Sequence, residues 1–175
     1  MNIQFGKVKE IIIAEISKAS NQLLTAVSWL TDKEIFDLLL QKLQNGVKVC
    51  IVTRYDYLNN HENALNWNTY IELGGNLHFC NSPNNLHYKF IVVDDSAVLI
   101  TSHNLTCFAG ENNRENVIIL NDKVSITQYQ TEFKELQILF THSSNVVPYD
   151  RNNVPKALLG FYDTTIRDDL KNQKS

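Results

Sequence analysis

The chain has 175 residues, 43% of them hydrophobic and 20% charged, enough for one compact core. That excludes a second full domain and reads as an ordinary soluble globular protein, neither disordered nor membranous. A net charge of -3 and a pI of about 5.9 exclude a protein that coats nucleic acid through overall charge, since such domains usually lie above a pI of about 9. Any site for a polyanion is therefore local.

Residues 7–19 place Val8, Ile12, Ile16 and Ala19 at helical spacing among charged residues, which predicts an amphipathic helix. "QLLTAVSWL" (22–30) reads as a buried strand. Thr31 and Glu34 then make a T-x-x-E capping box for a helix over 32–44, with Ile35, Leu39 and Leu43 on its apolar face and Gly46 ending it in the left-handed conformation. "VKVCIVT" (47–53) is a second buried strand. The polar, asparagine-rich stretch 56–69 is expected as a loop, with a short helix through Leu73 closed by two glycines. Strands follow at 77–80, 88–93, 97–101 and 116–120, the first and second joined through "NSPNN" (81–85). A last helix spans about 123–140, with Ile126, Tyr129, Phe133, Leu136 and Phe140 on one face. Helices alternating with buried strands predict an α/β fold: a mixed, largely parallel central sheet flanked by helices on both faces.

Three cysteines, Cys50, Cys80 and Cys107, are too few and too scattered for a disulfide framework or a zinc knuckle and read as buried free thiols. The only continuous apolar run near the N-terminus, "III" at 11–13, is not a signal-peptide core, and no segment approaches about 18 apolar residues. The expected compartment is the cytoplasm, with no stable membrane association.

Chemistry concentrates in "HYKFIVVD" (87–94) and "TSHN" (101–104). A tight turn at Asp95–Ser96 would set His87 opposite Asn104, Lys89 opposite Ser102 and Asp94 opposite Ala97. Side chains alternate along a strand, so four polar groups would share one face at the open end of a hairpin. The set suits a phosphodiester. Lys89 and the Asn104 amide offer donors to the non-bridging oxygens, and His87 is the group able to act as nucleophile or proton carrier near neutral pH. Glu115, just before "NVIIL", is placed to fix the imidazole tautomer. Asp94, at the turn, is expected to be structural and Ser102 to orient its neighbours. Arg54 and Arg114, near strand ends, are candidate phosphate contacts, with ordinary surface charge as their alternative. His61, His78, His103 and His142 read as surface or packing residues. Trp29, Trp67 and Tyr55 could stack bases or fill the core. No second histidine or carboxylate stands at ligand spacing, so neither metal nor other cofactor is expected.

"HYKFIVVD" fits H-x-K-x4-D, and together with "TSHN" and "REN" (114–116) it resembles the phospholipase D superfamily, most closely its short single-motif nucleases. Thr101 stands where that family commonly has glycine, and His103 at its variable position. The resemblance implies a phospholipase D-like catalytic domain over 1–147, with 148–175 a C-terminal tail or arm. It also implies a metal-independent mechanism in which one histidine attacks phosphorus to give a phosphohistidine while a second protonates the leaving oxygen. With one motif and no internal repeat, two chains would have to pair about a two-fold axis, a homodimer with a composite site. The expected function is a nuclease on DNA or RNA. The alternatives are a phospholipid or cardiolipin-type hydrolase, for which "KALLGFY" near the C-terminus is the only candidate docking segment, and a non-catalytic phospholipase D-like binding module.

Overall fold

A computed structural model describes residues 1–80, 86–107 and 114–173. Its strands are β1 (Asn2–Phe5), β2 (Gln22–Val27), β3 (Lys48–Arg54), β4 (Asn76–Cys80), β5 (Lys89–Val93), β6 (Ala97–Thr101), β7 (Asn116–Leu120) and β8 (Thr141–Ser143). They form one sheet in the order β1-β7-β6-β5-β2-β3-β4-β8. The helices are α1 (Val8–Ser17), α2 (Lys33–Gln44), α3 (Tyr57–Asn60), α4 (Trp67–Glu72), α5 (Lys123–Leu139) and α6 (Lys156–Asn172). The loop expected at 81–85, and residues 108–113 of the connection before β7, lie outside the described residues.

The fold is mixed α/β, as expected, but parallel pairing is the minority. Only β2 with β3 and β3 with β4 run parallel; the other five ladders are antiparallel. The reason lies in the connections. β2, β3 and β4 are linked through helices, whereas β5 and β6 are joined by the three residues 94–96, too few for a parallel crossover. The edge strands β1 and β8 were not foreseen; both are short and mostly exposed.

Side-chain alternation divides the core between two faces, both covered by helices. Leu23 and Val27 of β2, Ile51 of β3 and Ile91 of β5 pack with Ile12 and Ile16 of α1, Ile35 and Leu39 of α2 and Tyr70 of α4. Ala26, Val52, Phe90, Val92 and Val98 face the other way, onto Ile126, Phe133 and Leu136 of α5. Each such buried Val, Leu, Ile or Phe side chain is worth about 1.5–3 kcal/mol of transfer free energy.

Local capping departs from expectation in two places. The α2 N-cap is Asp32, which accepts from the Ile35 N–H at 3.1 Å, whereas the Thr31 hydroxyl donates to Asp169 of α6. Asp32 is fully buried and takes an ion pair from Lys9 of α1 at 2.8 Å, so one carboxylate caps α2 and ties it to α1. At the far end Gly46 adopts φ 81, as its position required. The stretch 56–69 contains α3 and the start of α4 rather than loop alone. Its polar residues are the caps themselves: Asp56 accepts from Asn59 N–H and Asn66 from Thr69 N–H, both at 3.1 Å. The C-terminal tail forms α6, which docks Tyr162 against Leu58 and Val154, with Trp29 and Tyr57 alongside.

Asp94 clasps the sheet. It occupies the left-handed region at φ 49, and its carboxylate accepts from the N–H groups of Ser20, Asn21 and Gln22 at 2.9, 2.9 and 2.7 Å and from the Ser20 hydroxyl at 3.1 Å. Burial pushes its pKa up, but these donors outweigh burial and hold it below the ordinary aspartate value. A depressed folded pKa stabilises the fold above the unfolded value and loses that contribution as pH falls through the folded one. Asp94→Ala should therefore cost about 2–3 kcal/mol at neutral pH by urea unfolding. The deficit should shrink below about pH 4. Asp94→Asn, which tolerates the same backbone, separates lost charge from strain; equal stability of all three proteins at pH 7 would contradict the clasp.

Candidate active site

The sequence-predicted cluster lies at one end of the sheet, because β2, β3 and β6 end there while β5 and β7 begin there. Val27 pairs with Lys89, Ala26 with Val52 and Thr101 with Val117. The segment entering β5 is fixed before it reaches the chemistry. Leu86 is buried, and its carbonyl accepts from the Ser28 hydroxyl at 3.1 Å. Asn59, buried and fully bonded, holds the same region: its amide donates to the carbonyls of Ser28 and Arg54, and its oxygen accepts from Leu30 N–H. His87, next along, is exposed. Lys89 is half-buried, and its Nζ donates to the His87 carbonyl at 3.3 Å.

The hairpin register differs by one residue from the expected one. Val93 pairs with Ala97 and Phe90 with Ile100, because the turn consumes Asp94 as well as Asp95 and Ser96. Asp94 therefore does not face Ala97, and the ladder carried one step further sets Lys89 opposite Thr101 rather than Ser102. A straight β6 would then put Ser102 on the wrong face. Instead the chain bends at Ser102, where the Thr101 hydroxyl donates to the Asn116 carbonyl at 2.8 Å and accepts from His103 N–H at 2.9 Å. The bend delivers the Ser102 hydroxyl to the Glu115 carboxylate, and the same oxygen accepts from Asn116 N–H at 3.1 Å. Thr101, in a position commonly glycine, builds this corner.

Lys89, Ser102 and Glu115 are thus brought together. Burial lowers the Lys89 pKa, and the neighbouring Glu115 charge partly restores it. The Glu115 hydrogen bond described is to Ser102; none to His87 is present among the described residues. Asn104 is half-buried, and its buried Oδ1 has no hydrogen-bond partner among the described residues. Asp94 sits at the other end of β5, about five strand residues or roughly 16 Å away, so it cannot touch the same phosphate. Arg54 lies on the site's side of the sheet, but its guanidinium stacks over Trp29 at 5.3 Å and pairs with Asp56 at 3.4 Å. Arg114 is exposed beside Glu115.

The remaining candidates pack. His103 is fully buried, and burial lowers its pKa against the pull of Glu115 and Asp32. Trp67 fills the core, and Tyr55 meets Phe79 edge to face at 5.2 Å. Sequence reasoning missed Ser28 and Asn59. Their one signal was the asparagine-rich stretch after Arg54, which composition alone assigned to a loop.

The chain belongs to the phospholipase D superfamily, a family of phosphodiesterases: residues 12–137 match the Cardiolipin synthase, PLD-like domain family. Among curated proteins it is 35% identical over 91 residues to a Mitochondrial cardiolipin hydrolase of Xenopus tropicalis, covering 52% of this chain and 42% of that one. It is 27% identical over 125 residues to that of Chlamydomonas reinhardtii, covering 71% and 55%. The chain thus spans about half the length of these relatives. In fold it is similar to Nuc, a phospholipase D family member from Salmonella typhimurium (TM-score 0.68, 21% identity, 82% of this chain and 99% of that one). It is also similar to NucT from Helicobacter pylori (TM-score 0.64, 20% identity, 81% and 100%).

The Lys89–Glu115 coupling is measurable without any substrate. Acylation of Lys89 followed by mass spectrometry across pH should give a midpoint below the ordinary lysine value of about 10.4. Glu115→Gln removes the charge that raises it, so the midpoint should fall further. A midpoint unmoved by that substitution would show that Glu115 does not act on Lys89.

Proposed function

We propose that the protein is a metal-independent nuclease that cleaves DNA or RNA through a phosphohistidine at a site completed by a second copy of the chain. What supports this reading is a single H-x-K-x4-D motif in the sequence, with His87 exposed and Lys89 near one Ser102–Glu115 pair, a set that would make half of a two-histidine phosphodiesterase site. In the proposed reaction His87 of one copy attacks phosphorus while the bond to the leaving oxygen breaks, and His87 of the other copy gives that oxygen a proton. The second imidazole then takes a proton from water, whose oxygen displaces the first histidine from phosphorus. Lys89 and the Asn104 amide meet the charge on the non-bridging oxygens. Glu115 holds Ser102 and supports the charge of Lys89. The proposed compartment is the cytoplasm, supported by three buried free thiols.

A second reading, hydrolysis of cardiolipin or a related phospholipid, is favoured by the likeness to cardiolipin hydrolases and by the exposed Leu158 and Phe161 on α6.

Purified protein in excess EDTA, given supercoiled plasmid, single-stranded oligonucleotides and cardiolipin vesicles in parallel, separates these readings. Nuclease action predicts nicking that survives chelation and disappears in His87→Ala, with vesicles untouched. Lipid turnover with intact plasmid would reverse the assignment, and a folded protein that binds without cleaving would point to a binding module. Equimolar His87→Ala, after subunit exchange, should leave about half the wild-type activity, because only pairs of two intact chains remain competent. Unchanged activity on mixing would refute the shared site.

A further inference from the structure

Beside β5 lies a groove of about 320 Å³, lined by Tyr88, Lys89, Phe90, Gln128, Tyr129 and Glu132 together with Ile100. None of these except Lys89 has a part in the chemistry above. Tyr88 separates His87 from Lys89 in sequence, and alternation sends its ring to the opposite side of the chain from the Lys89 side chain. Tyr88 as a whole is 48% exposed. It stands against Phe90 at 5.8 Å, which stands against Tyr129 of α5 at 4.9 Å, so Tyr88 and Tyr129 flank a buried Phe90 that anchors them in the core at Phe133. The polar groups are Gln128 and Glu132, one turn apart on α5, with the Glu132 carboxylate facing the Tyr88 hydroxyl.

We propose that this groove is the base-binding subsite of the nuclease, taking the nucleobase next to the phosphate held by His87 and Lys89. The proposal rests on the nuclease reading. Three properties fit a base. Aromatic faces stack any base. A charged carboxylate only accepts hydrogen bonds, so Glu132 selects bases that present an amino group, such as cytosine, over thymine. Lys89 belongs to the groove lining through the strand that carries it, while its side chain is directed to the opposite face, so groove and phosphate site flank the same end of β5 and a strand passing that end can set a base in one and a phosphate in the other. The same carboxylate disfavours the alternative occupants: it repels phosphate, and an acyl chain would leave it unsolvated and unpaired.

The test compares cleavage of short single-stranded homopolymers of deoxycytidine and thymidine and of an oligonucleotide carrying abasic residues, using wild type, Tyr88→Ala and Glu132→Gln. The wild type should prefer deoxycytidine. Tyr88→Ala should lower kcat/KM on both homopolymers by about tenfold or more, mainly through KM, and leave the abasic substrate unchanged. Glu132→Gln should erase the preference for deoxycytidine. Variants indistinguishable from wild type, or equally impaired on the abasic strand, would overturn the subsite. If the wild type cleaves none of these strands, the nuclease reading itself fails. The groove is then judged by binding of the deoxycytidine homopolymer to His87→Ala protein. Affinity lost on adding Tyr88→Ala retains a base site, whereas absent or unaltered binding removes it.

Discussion

The antiparallel ladder between β2 and β5 holds the molecule in register. It is the seam between a parallel half, β2 to β4, and an antiparallel half, β5 to β7 with β1, and it runs from Leu23 opposite Val93 to Val27 opposite Lys89. Both ends are pinned by groups outside the ladder: the Asp94 carboxylate on the N–H groups of residues 20–22, and the Ser28 hydroxyl on Leu86. A slip of one residue would turn Lys89 toward α5 and bury Tyr88 among aliphatic side chains. The position of Lys89 is thus set largely by hydrogen bonds made some distance from it.

Around that seam, polar groups divide into two kinds. Those with complete local hydrogen bonding, Asp94, Asn59, Thr101 and Asp32, shape backbone. Those left exposed or incompletely bonded, His87, Lys89 and the Asn104 oxygen, gather at the open end of the sheet where strands of both halves terminate. Ser102 and Glu115 belong to both groups, since their mutual bond shapes the corner and places a carboxylate by Lys89. Partial burial matters here: it makes the ammonium costlier to keep charged, and Glu115 offsets that cost.

The C-terminal helix is docked on the same end by Tyr162, by Phe161 against Trp29 at 5.8 Å and by Asp169 bonded to Thr31. Because Trp29 also carries Arg54 on its face, the arm reaches the flank of the site through packed rings rather than through charge. That arrangement explains why the arm reads as a polar tail in sequence: its buried residues meet a partner surface assembled from α3 and the end of β2, which no local pattern displays.

Much of the fold was legible locally. Apolar periodicity marked α1, α2, α5 and six of the strands to within a few residues, because burial on one face imposes a period that the chain itself carries. The motif likewise marked His87, Lys89, Ser102, Asn104 and Glu115 as one set. Sequence alone overstated the parallel share of the sheet, since the antiparallel pairings of β5 with β2 and of both edge strands join segments far apart in the chain, and it misjudged the hairpin register because the turn 94–96 was counted one residue short. It also missed the edge strands, which have little apolar surface to show, and the capping roles of Asp32, Asp56 and Asn66, where several polar residues could have served. Tertiary structure alone decided that the chain bends at Ser102, that Arg54 is held by Trp29 and Asp56, and that Tyr88 opens onto a groove with α5. Each of these depends on contacts between residues far apart in the chain, and the energies that fix them exist only once the sheet has brought those residues together.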